Sequence, residues 1–383
     1  MISRVRRPRR PFLVCAGALA TVALLAALAP HGALTGMATA IGLRTPAAAG
    51  PSWQLKLAIH YLPPQTNRSQ YLVTLAEPDG TWLLGGSDAG GSGAGGSGAG
   101  RDGRPEAELV RNGIPQSVPL PAGLRSWISA ASASGPGDIW AVTSLGGSVL
   151  RWNGSTWAVE PRGGWSKDVR FTGVVTTDSQ DVWVFGTRGR SHPGAGTWHF
   201  TGSAWTRVKG AASYVAKASE AGPGDLWGIG GARAAGDADR ALLHYTGVRW
   251  VRATPAALAG FDYTAVLAIG PADVWVAGSV SGRPELGHFD GADWTAYRMP
   301  GTAPATGLCR DGRGGLWVVA NSGTAPSLVR ERSSGGTWTR AVVSEKPANQ
   351  ILSCALVSGT THVWGAGKSS APGGSAAAGY RYG

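Results

Sequence analysis

Charged residues are scarce in this chain, and so are the short motifs that usually announce an enzyme. Only 15% of the 383 residues are charged, whereas 43% are hydrophobic. A disordered chain is rich in charge and poor in apolar residues, so this composition excludes disorder as the overall state. No nucleophile elbow, zinc motif or phosphate-binding loop occurs. The sequence therefore predicts a globular protein, and it predicts no cofactor and no metal site.

Acidic residues are missing from the first 49 positions, and this absence inflates the net charge. The chain carries 35 basic and 23 acidic residues, a net charge of +12, but six of its arginines lie within residues 1–49. The remaining 29 basic residues exceed the 23 acidic ones by only 6. A moderate positive charge favours anionic partners. No run of Lys and Arg with interleaved aromatic residues occurs, so nucleic acid is not a predicted partner.

The amino terminus has the pattern of an export segment. Five arginines precede an apolar stretch at residues 11–30, and small residues Ala47, Ala48 and Ala49 follow. This order is typical of a secretory signal that is cleaved before Gly50. The apolar part is about 18 residues long, which is also the lower limit for crossing a bilayer. Residues 1–49 are therefore interpreted as a signal peptide or, alternatively, as an N-terminal membrane anchor. Both interpretations predict a secreted or cell-envelope protein outside the cytoplasm.

A tryptophan that opens a short apolar run recurs through the rest of the chain. Several of these runs follow a turn sequence such as GPGD, DSQD or GPAD. The spacings are 58, 43, 44, 48, 42 and 47 residues, and a period of about 40–45 residues built from short strands is typical of a propeller blade. The recurring residues are Trp82, Trp140, Trp183, Trp227, Trp275, Trp317 and Trp364.

The clearest repeat, residues 261–299, divides into four strands. Period-two alternation predicts an inner strand FDYTAVLAIG, a second strand VWVAGSV, a third strand LGHFDG and an outer strand ADWTAYRM. The last repeat ends before its outer strand, and the segment after Gly50 supplies a strand without a blade. We therefore predict that residues 50–383 form an all-β, seven-bladed β-propeller of four-stranded blades, with its last blade closed by N- and C-terminal strands. Residues 86–100 are predicted to form a flexible Gly/Ser loop.

The motif DVW followed by an aromatic-x-Gly-x-x-Trp segment resembles the tryptophan-rich β-propeller repeats of secreted bacterial proteins. The resemblance covers nearly all of residues 50–383, and it implies the fold alone because that group has no shared activity. The repeats depart from the WD40 pattern and from the sialidase Asp-box.

Histidines occupy the same place in three repeats: His199, His244 and His288. Because they belong to different blades they cannot converge on one metal ion. We predict instead that each one hydrogen-bonds either an aspartate of its own blade, namely Asp181, Asp225 or Asp273, or the backbone of the adjacent turn. Two cysteines, Cys309 and Cys354, fall on neighbouring inner strands. Outside the cytoplasm they are able to form a disulfide, and the alternative is two buried free thiols.

One face of the predicted propeller collects aromatic and basic residues. Aromatic residues stand where the outer-to-inner connection enters the inner strand in five of the seven blades, and they predict a collar at the mouth of the channel. Ala305 and Ile351 occupy this place in the other two blades. Packing between the inner strands is the alternative explanation for them. Basic residues are concentrated in the same connections. The candidate ligand-binding residues are Tyr71, Trp127, Phe171, Tyr214, Tyr263, Arg162, Lys167 and Arg170.

These features favour a non-catalytic binding or interaction module outside the cytoplasm. Its partner would be a polysaccharide, an anionic cell-wall polymer or a protein, and the membrane would be contacted only through an uncleaved N-terminal segment. The propeller itself is expected to be a monomer. The alternative is a carbohydrate-active hydrolase or lyase that uses the same face. Asp168, Asp262 and Glu345 are the acids predicted there, and two of them would have to lie about 5–10 Å apart.

Overall fold

A computed structural model divides the chain into two compact units, Met1–Ile41 and Gly42–Gly383. The structure describes residues of the second unit only: 52–60, 69–88, 103–188, 192–208, 214–231, 241–321, 326–331, 338–343, 350–371 and 374–382. The predicted export segment, and most of the predicted Gly/Ser loop, lie outside these residues. Within the described ranges, no helix has the length and apolar character needed to cross a membrane.

The described residues are almost entirely β-strand, with one short 3-10 helix at Ala256–Leu258. Five antiparallel sheets each contain four strands in chain order. Their strands are β2 Ser69–Glu77, β3 Gly80–Asp88, β4 Gly103–Arg111 and β5 Ile114–Ser117; β6 Ile128–Gly135, β7 Asp138–Thr143, β8 Val149–Trp152 and β9 Trp157–Val159; β10 Val169–Asp178, β11 Asp181–Arg188, β12 His192–Phe200 and β13 Trp205–Arg207; β14 Tyr214–Gly222, β15 Asp225–Gly231, β16 Ala241–Thr246 and β17 Trp250–Ala253; β18 Phe261–Gly270, β19 Asp273–Val280, β20 Arg283–Phe289 and β21 Trp294–Arg298.

The remaining strands form one eight-stranded sheet in the order β22-β23-β24-β25-β1-β28-β27-β26. The two terminal strands pair with each other in it, because the second half of β1 runs antiparallel to β28. The first half of β1 also pairs in parallel with β25, and this joins two four-stranded groups. The strands are β1 Ser52–His60, β22 Ala305–Arg310, β23 Leu316–Asn321, β24 Pro326–Glu331, β25 Trp338–Val343, β26 Gln350–Leu356, β27 Val363–Ala371 and β28 Gly374–Tyr382.

The structure is an all-β propeller, but it has six sheets and not the seven separate blades predicted. The reason is the double pairing of β1, which merges the last two groups of strands into one sheet. The predicted loop 86–100 also begins too early, since residues 86–88 belong to β3. In the repeat at residues 261–299, Arg283–Glu285 belong to β20, and the second and third strands are joined by the two residues Ser281 and Gly282 alone.

The inner strands are the first strands of each four-stranded group: β2, β6, β10, β14, β18, β22 and β26. Each contacts the next in turn, and β26 contacts β2, so they close a ring around a central channel. The repeated tryptophans lie between neighbouring sheets. Trp82, for example, meets Trp152 and Trp157 of the next sheet edge-to-face at 5.0 and 5.6 Å. Burial of each ring contributes roughly 2–3 kcal/mol, so this layer holds the sheets together.

Every inner strand carries a β-bulge near its start. The register with the second strand shifts by one residue at Leu72, Ser129, Thr172, Ala216, Thr264, Thr306 and Leu352. The bulge brings a backbone carbonyl close to the facing strand, so most sites opposite the residue before the bulge are glycines. A Cβ on Gly230, for example, would lie 1.9 Å from the Tyr214 carbonyl oxygen. The sequence W-x-x-G marks this position.

The strand directions give the propeller two different faces. The connection face carries the segments that lead from outer strands to inner strands and from second strands to third strands. Its described segments are 118–127, 144–148, 160–168, 254–260, 281–282 and 299–304. The turn face carries the inner-to-second and third-to-outer turns, and GPGD and GPAD lie there. Any partner that approaches along the channel axis meets one of these two faces first.

Candidate binding face

Most of the predicted aromatic collar is buried, and this corrects the sequence-based prediction. The exposed fractions are 1% for Tyr71, 4% for Trp127, 2% for Phe171 and 6% for Tyr263, and Tyr214 is half-buried. The four buried rings pack in the core between sheets and present no face to a ligand. The physical reason is that a side chain on an inner strand points toward a neighbouring sheet, whereas the strand edge faces the channel.

The predicted collar residues do not share one structural position either. Tyr71, Phe171 and Tyr263 each stand directly before a bulge. Trp127 and Tyr214 lie one residue earlier, and Ile128 and Val215 occupy the pre-bulge position in their strands. Since side chains alternate along a strand, one residue of offset reverses the direction of the ring.

Trp127 shows what these rings do in the structure. Its indole Nε1 donates a hydrogen bond to the Ser87 carbonyl oxygen at 3.1 Å, so it reaches the neighbouring sheet. A Cβ on Gly86 or Gly103 would come within 2.6 Å of the indole, which explains why glycine stands on both strands beneath it. Trp127 is therefore a packing residue between two sheets.

Phe171 and Tyr263 pack in the same way. Phe171 meets Trp165 edge-to-face with 5.4 Å between the ring centroids, and Trp165 donates from Nε1 to the Gly147 carbonyl oxygen at 2.8 Å. Tyr263 lies 4.8 Å from Phe261, and burial raises the pKa of its phenol to about 12. A phenol with this pKa stays protonated at neutral pH.

The predicted basic residues are placed at the surface of the connection face. Arg162 and Lys167 are exposed in the segment that leads into β10, and Arg170 is half-buried on β10 itself. Arg162 donates from Nη2 to the Gly146 carbonyl oxygen at 3.2 Å, which holds its side chain over a neighbouring connection. Further exposed basic residues on the same face are Arg104, Arg125, Arg207, Arg252, Arg283 and Arg298.

Acidic residues are few on the connection face and frequent on the turn face. On the connection face, Asp168 and Asp262 are exposed, and Glu106 and Glu160 are half-buried. Glu285 is buried, and its Oε1 lies 4.0 Å from Arg298 Nε. The turn face carries the acids Glu77, Asp79, Asp138, Asp178, Asp181, Asp225, Asp273, Asp290, Asp293 and Asp311, with the bases Arg111, Arg151, Arg249, Arg310, Arg313 and Arg381. The described part of the propeller is thus polarised between its faces.

The acids proposed for the alternative, catalytic interpretation belong to different parts of the ring. Asp168 precedes β10 and its Oδ2 accepts a hydrogen bond from Ser166 Oγ at 3.1 Å. Asp262 lies on β18, and the sheet β14–β17 stands between these two segments. Glu345 lies outside the described residues. Of these three acids, the structure describes Asp168 and Asp262 alone, and it places them at sheets that are not neighbours.

The repeated histidines pair with aspartates of their own sheets, as the sequence predicted. The Nε2 to Oδ1 distances are 2.6 Å for His199 and Asp181, 2.6 Å for His244 and Asp225, and 3.0 Å for His288 and Asp273. Each imidazole also stacks on the repeated tryptophan of its sheet, with centroids 3.8 to 4.1 Å apart. Across the described ranges, no group of three His, Cys, Asp or Glu residues is arranged to hold a metal ion.

Cys309 and Cys354 form a disulfide between β22 and β26, with their Cα atoms 5.8 Å apart. These two strands are the opposite edges of the eight-stranded sheet. The bond therefore joins the two edges, so that the sheet folds back on itself within the ring. Cys309 is buried beside Trp317, Ile351 and Tyr380.

One carboxyl group with an altered pKa lies on the turn side between two sheets. Burial, and to a smaller extent the nearby Asp181 carboxylate, raise the pKa of Glu220 on β14 to about 8. Thr177 Oγ1 lies 3.4 Å from both Glu220 Oε1 and Asp181 Oδ2, so it links the two carboxyl groups. Glu220 Oε2 is buried and accepts no hydrogen bond within the described structure. No sequence pattern indicates this pairing, because the two acids are 39 residues apart.

We expect Glu220 to make stability fall as the pH rises. Its carboxyl has a pKa near 4.5 when unfolded and about 8 when folded, so the folded state binds more protons between these values. At low pH the carboxyl is neutral in both states, so it costs no stability. The loss in the free energy of unfolding begins near pH 4.5 and reaches its full size above about pH 8. Glu220→Gln should reduce the downward slope of the free energy of unfolding, measured by urea denaturation from pH 5 to 9. The exposed turn-face variant Asp293→Asn is the control, and an unchanged slope in Glu220→Gln would contradict the assignment.

Comparisons with known proteins show the fold and no family. The sequence matches no family model and no curated protein. Among solved structures, YCF48 bound to D1 peptide superimposes with a TM-score of 0.56 at 11% identity, covering 85% of this chain and 98% of that one. Virginiamycin B lyase from Staphylococcus aureus, in a catalytically inactive form with quinupristin, superimposes with a TM-score of 0.61 at 11% identity. The match covers 86% of this chain and 99% of that one.

A third solved structure, a puromycin hydrolase mutant complexed with PGG, gives a TM-score of 0.57 at 13% identity, covering 82% of this chain and 53% of that one. These neighbours include one structure with a bound peptide, one lyase and one hydrolase. At such low identity the likeness concerns the fold alone. The chain is thus similar in architecture to proteins with different activities.

Proposed function

We propose that this propeller is a non-catalytic binding module, exposed outside the cytoplasm, that holds an anionic polymer of the cell envelope on its connection face. The observation that carries the proposal is the one-sided distribution of exposed basic residues. Arginine and lysine bind phosphate and carboxylate groups through charge-assisted hydrogen bonds. A surface of one charge sign also attracts an oppositely charged partner before contact.

The burial of the aromatic collar decides which kind of ligand is favoured. A neutral polysaccharide is held mainly by stacking on exposed aromatic rings, but the exposed large hydrophobic residues of the described surface are Ile114, Val159 and Val248. None of these is aromatic. The remaining recognition chemistry on the connection face is positive charge, and it suits an anionic polymer. The disulfide supports the proposed location, since such bonds persist in oxidising compartments.

Charge reversal provides the test. Arg162→Glu with Lys167→Glu should weaken the binding of polyphosphate and polyglutamate about tenfold or more in low salt, where an energy of about 1.4 kcal/mol corresponds to a factor of ten. The loss should shrink in 0.5 M salt, because exposed charges are then screened over a few ångströms. Fluorescence anisotropy at two salt concentrations measures both effects, with neutral dextran as the non-binding polymer.

The matched control is Arg249→Glu with Arg313→Glu, which changes the net charge equally on the turn face. Both arginines are exposed. If this control weakens binding as much as the connection-face variant, the polymer responds to net charge and the proposed face is wrong. Turnover of an acidic polysaccharide by the wild-type protein would instead support the alternative of a carbohydrate-active hydrolase or lyase.

A further inference from the structure

The dipeptide Asn-Gly occurs twice in the sequence, at Asn112-Gly113 and at Asn153-Gly154. Each lies in the turn that joins the third strand of a sheet to its outer strand, and both asparagines are exposed. Glycine after asparagine permits a reaction between the asparagine side chain and the main chain, because no Cβ shields the following amide nitrogen. Sequence and exposure therefore make the two sites equivalent, and their contacts distinguish them.

Asn153 is fixed by its own turn. Its Oδ1 accepts hydrogen bonds from the backbone nitrogens of Ser155 and Thr156, at 3.0 and 2.9 Å, and from Ser155 Oγ at 2.9 Å. The residues on either side of the turn, Trp152 and Trp157, are each 6% exposed, and their ring centroids are 5.8 Å apart. Opening this turn would break the hydrogen bonds and expose buried indole rings.

Asn112 lies in a turn without these restraints. The turn has two residues, since Arg111 pairs with Ile114, and Asn112 has the positive φ of 52° that such turns require. Across the part of the chain that the structure describes, its side chain makes no hydrogen bond. Ile114 is 62% exposed, all four residues of β5 are exposed, and Pro115 has no N–H to donate. We therefore expect the outer strand β5 to open more readily than β9.

We propose that Asn112 is a site of spontaneous modification, at which the side-chain amide is lost and a carboxylate is left on the turn face, while Asn153 stays intact. The amide nitrogen of Gly113 loses its proton and attacks Cγ of Asn112, and the new C–N bond closes a cyclic imide. The Cγ–Nδ2 bond breaks, and Nδ2 takes up the proton and leaves as ammonia. Water then opens the imide at either carbonyl and gives aspartate or isoaspartate. The reaction consumes water and releases ammonia in equal amounts.

The ring closure explains why the opening of the turn matters, and its products change the turn face. Cγ reaches the following nitrogen after rotation about the Cα–C bond of the asparagine, and this rotation separates the strands beside a tight turn. Both products add a negative charge near the ion pair of Asp79 and Arg111, whose Oδ2 and Nη2 lie 3.6 Å apart. Isoaspartate also adds a carbon atom to the main chain, which breaks the two-residue turn and releases β5. The turn face thus becomes more acidic as the protein ages.

The test is incubation of the purified full chain at pH 8, followed by peptide mapping with mass spectrometry. In the folded protein, the peptide that contains Asn112 should convert about tenfold faster than the peptide that contains Asn153. In concentrated urea the two rates should lie within about threefold of each other, because the contacts of both turns are then absent. Asn112→Asp supplies the standard that separates the aspartate product from isoaspartate.

Equal rates in the folded protein, or a faster reaction at Asn153, would overturn the proposal. A difference of the same size in urea would also overturn it, because the adjoining sequence and not the structure would then set the rates. Trp157→Ala loosens the second turn, and it should speed the conversion of Asn153 while the rate at Asn112 stays the same. An unchanged rate at Asn153 in this variant contradicts the restraint by the turn, and if the variant does not fold, the comparison with urea still decides. These outcomes are independent of the proposed function, because Asn112 lies on the turn face.

Discussion

Replacing strand β1, Ser52–His60, by nine Gly and Ser residues is expected to destabilise the propeller more than any other change of similar size. Four residues of β1 pair with β25 and four with β28, so its loss opens two strand edges at once. Each backbone hydrogen bond contributes about 1 kcal/mol net, so the free energy of unfolding should fall by several kcal/mol. Unpaired edges also recruit other chains, and we expect aggregation near the unfolding temperature.

Chemical denaturation and light scattering measure these two effects, and a synthetic peptide supplies the control. The peptide SWQLKLAIH should raise the melting temperature of the variant, because it restores both pairings, whereas a scrambled peptide should not. Wild-type stability in the variant would contradict the idea that β1 closes the ring. If the variant is destabilised and neither peptide restores its melting temperature, the strand must be covalently connected to the chain in order to stabilise the propeller.

The repeat in the sequence predicted the strands and the histidine contacts well, because both depend on local order. Alternation around Trp275 places β19 and β20 side by side, and the register then brings His288 next to Trp275 and close to Asp273. The same logic gave the pairing of the two terminal strands. The residues of each histidine contact lie within one repeat, and the two terminal strands are parts of one four-stranded group.

The number of sheets could not be predicted from the same repeat. The number of repeats in the sequence gives the number of four-stranded groups. The number of sheets depends instead on which strands are joined by hydrogen bonds. The parallel pairing of Ser52–Leu55 with β25 crosses from one group to the next, and no motif within a repeat encodes it. The six sheets follow from this single contact between β1 and a strand that is about 290 residues away in the chain.

The aromatic collar was predicted wrongly because the bulges were not recognised. The aromatic residues were grouped because they lie 11 to 13 residues before the repeated tryptophan, and this window is wide enough to place Trp127 with Phe171. The register shift at Ser129 puts Ile128, and not Trp127, in the position that matches Phe171. The W-x-x-G signal at Trp183 and Gly186 marks the bulge of β10, but Thr143 replaces the glycine after Trp140, so the bulge at Ser129 has no such mark. The prediction also missed the burial of these rings. A residue at the start of an inner strand lies near the channel, but this does not decide whether its ring points into the channel.

Removal of the disulfide is expected to be the second large effect. In Cys309→Ala with Cys354→Ala the free energy of unfolding should fall by about 4 kcal/mol, the value for closing a loop of about 45 residues in the unfolded chain. The bond also joins β22 and β26, the two edges of the eight-stranded sheet, so its loss should weaken the same part of the ring that β1 stabilises. Cys309 is buried, so alanine additionally leaves a small cavity beside Trp317.

Reducing agent provides an internal control for this prediction. Wild-type protein in the presence of reductant should approach the stability of the double variant, whereas the double variant should not respond to reductant. The remaining difference between reduced wild type and the double variant measures the cavity, because reduction keeps both sulfur atoms in place. The contrary outcome is that the free energy of unfolding of the wild type stays the same under reducing conditions that release two thiols. That result would show that β1 alone holds the two edges of this sheet in the ring.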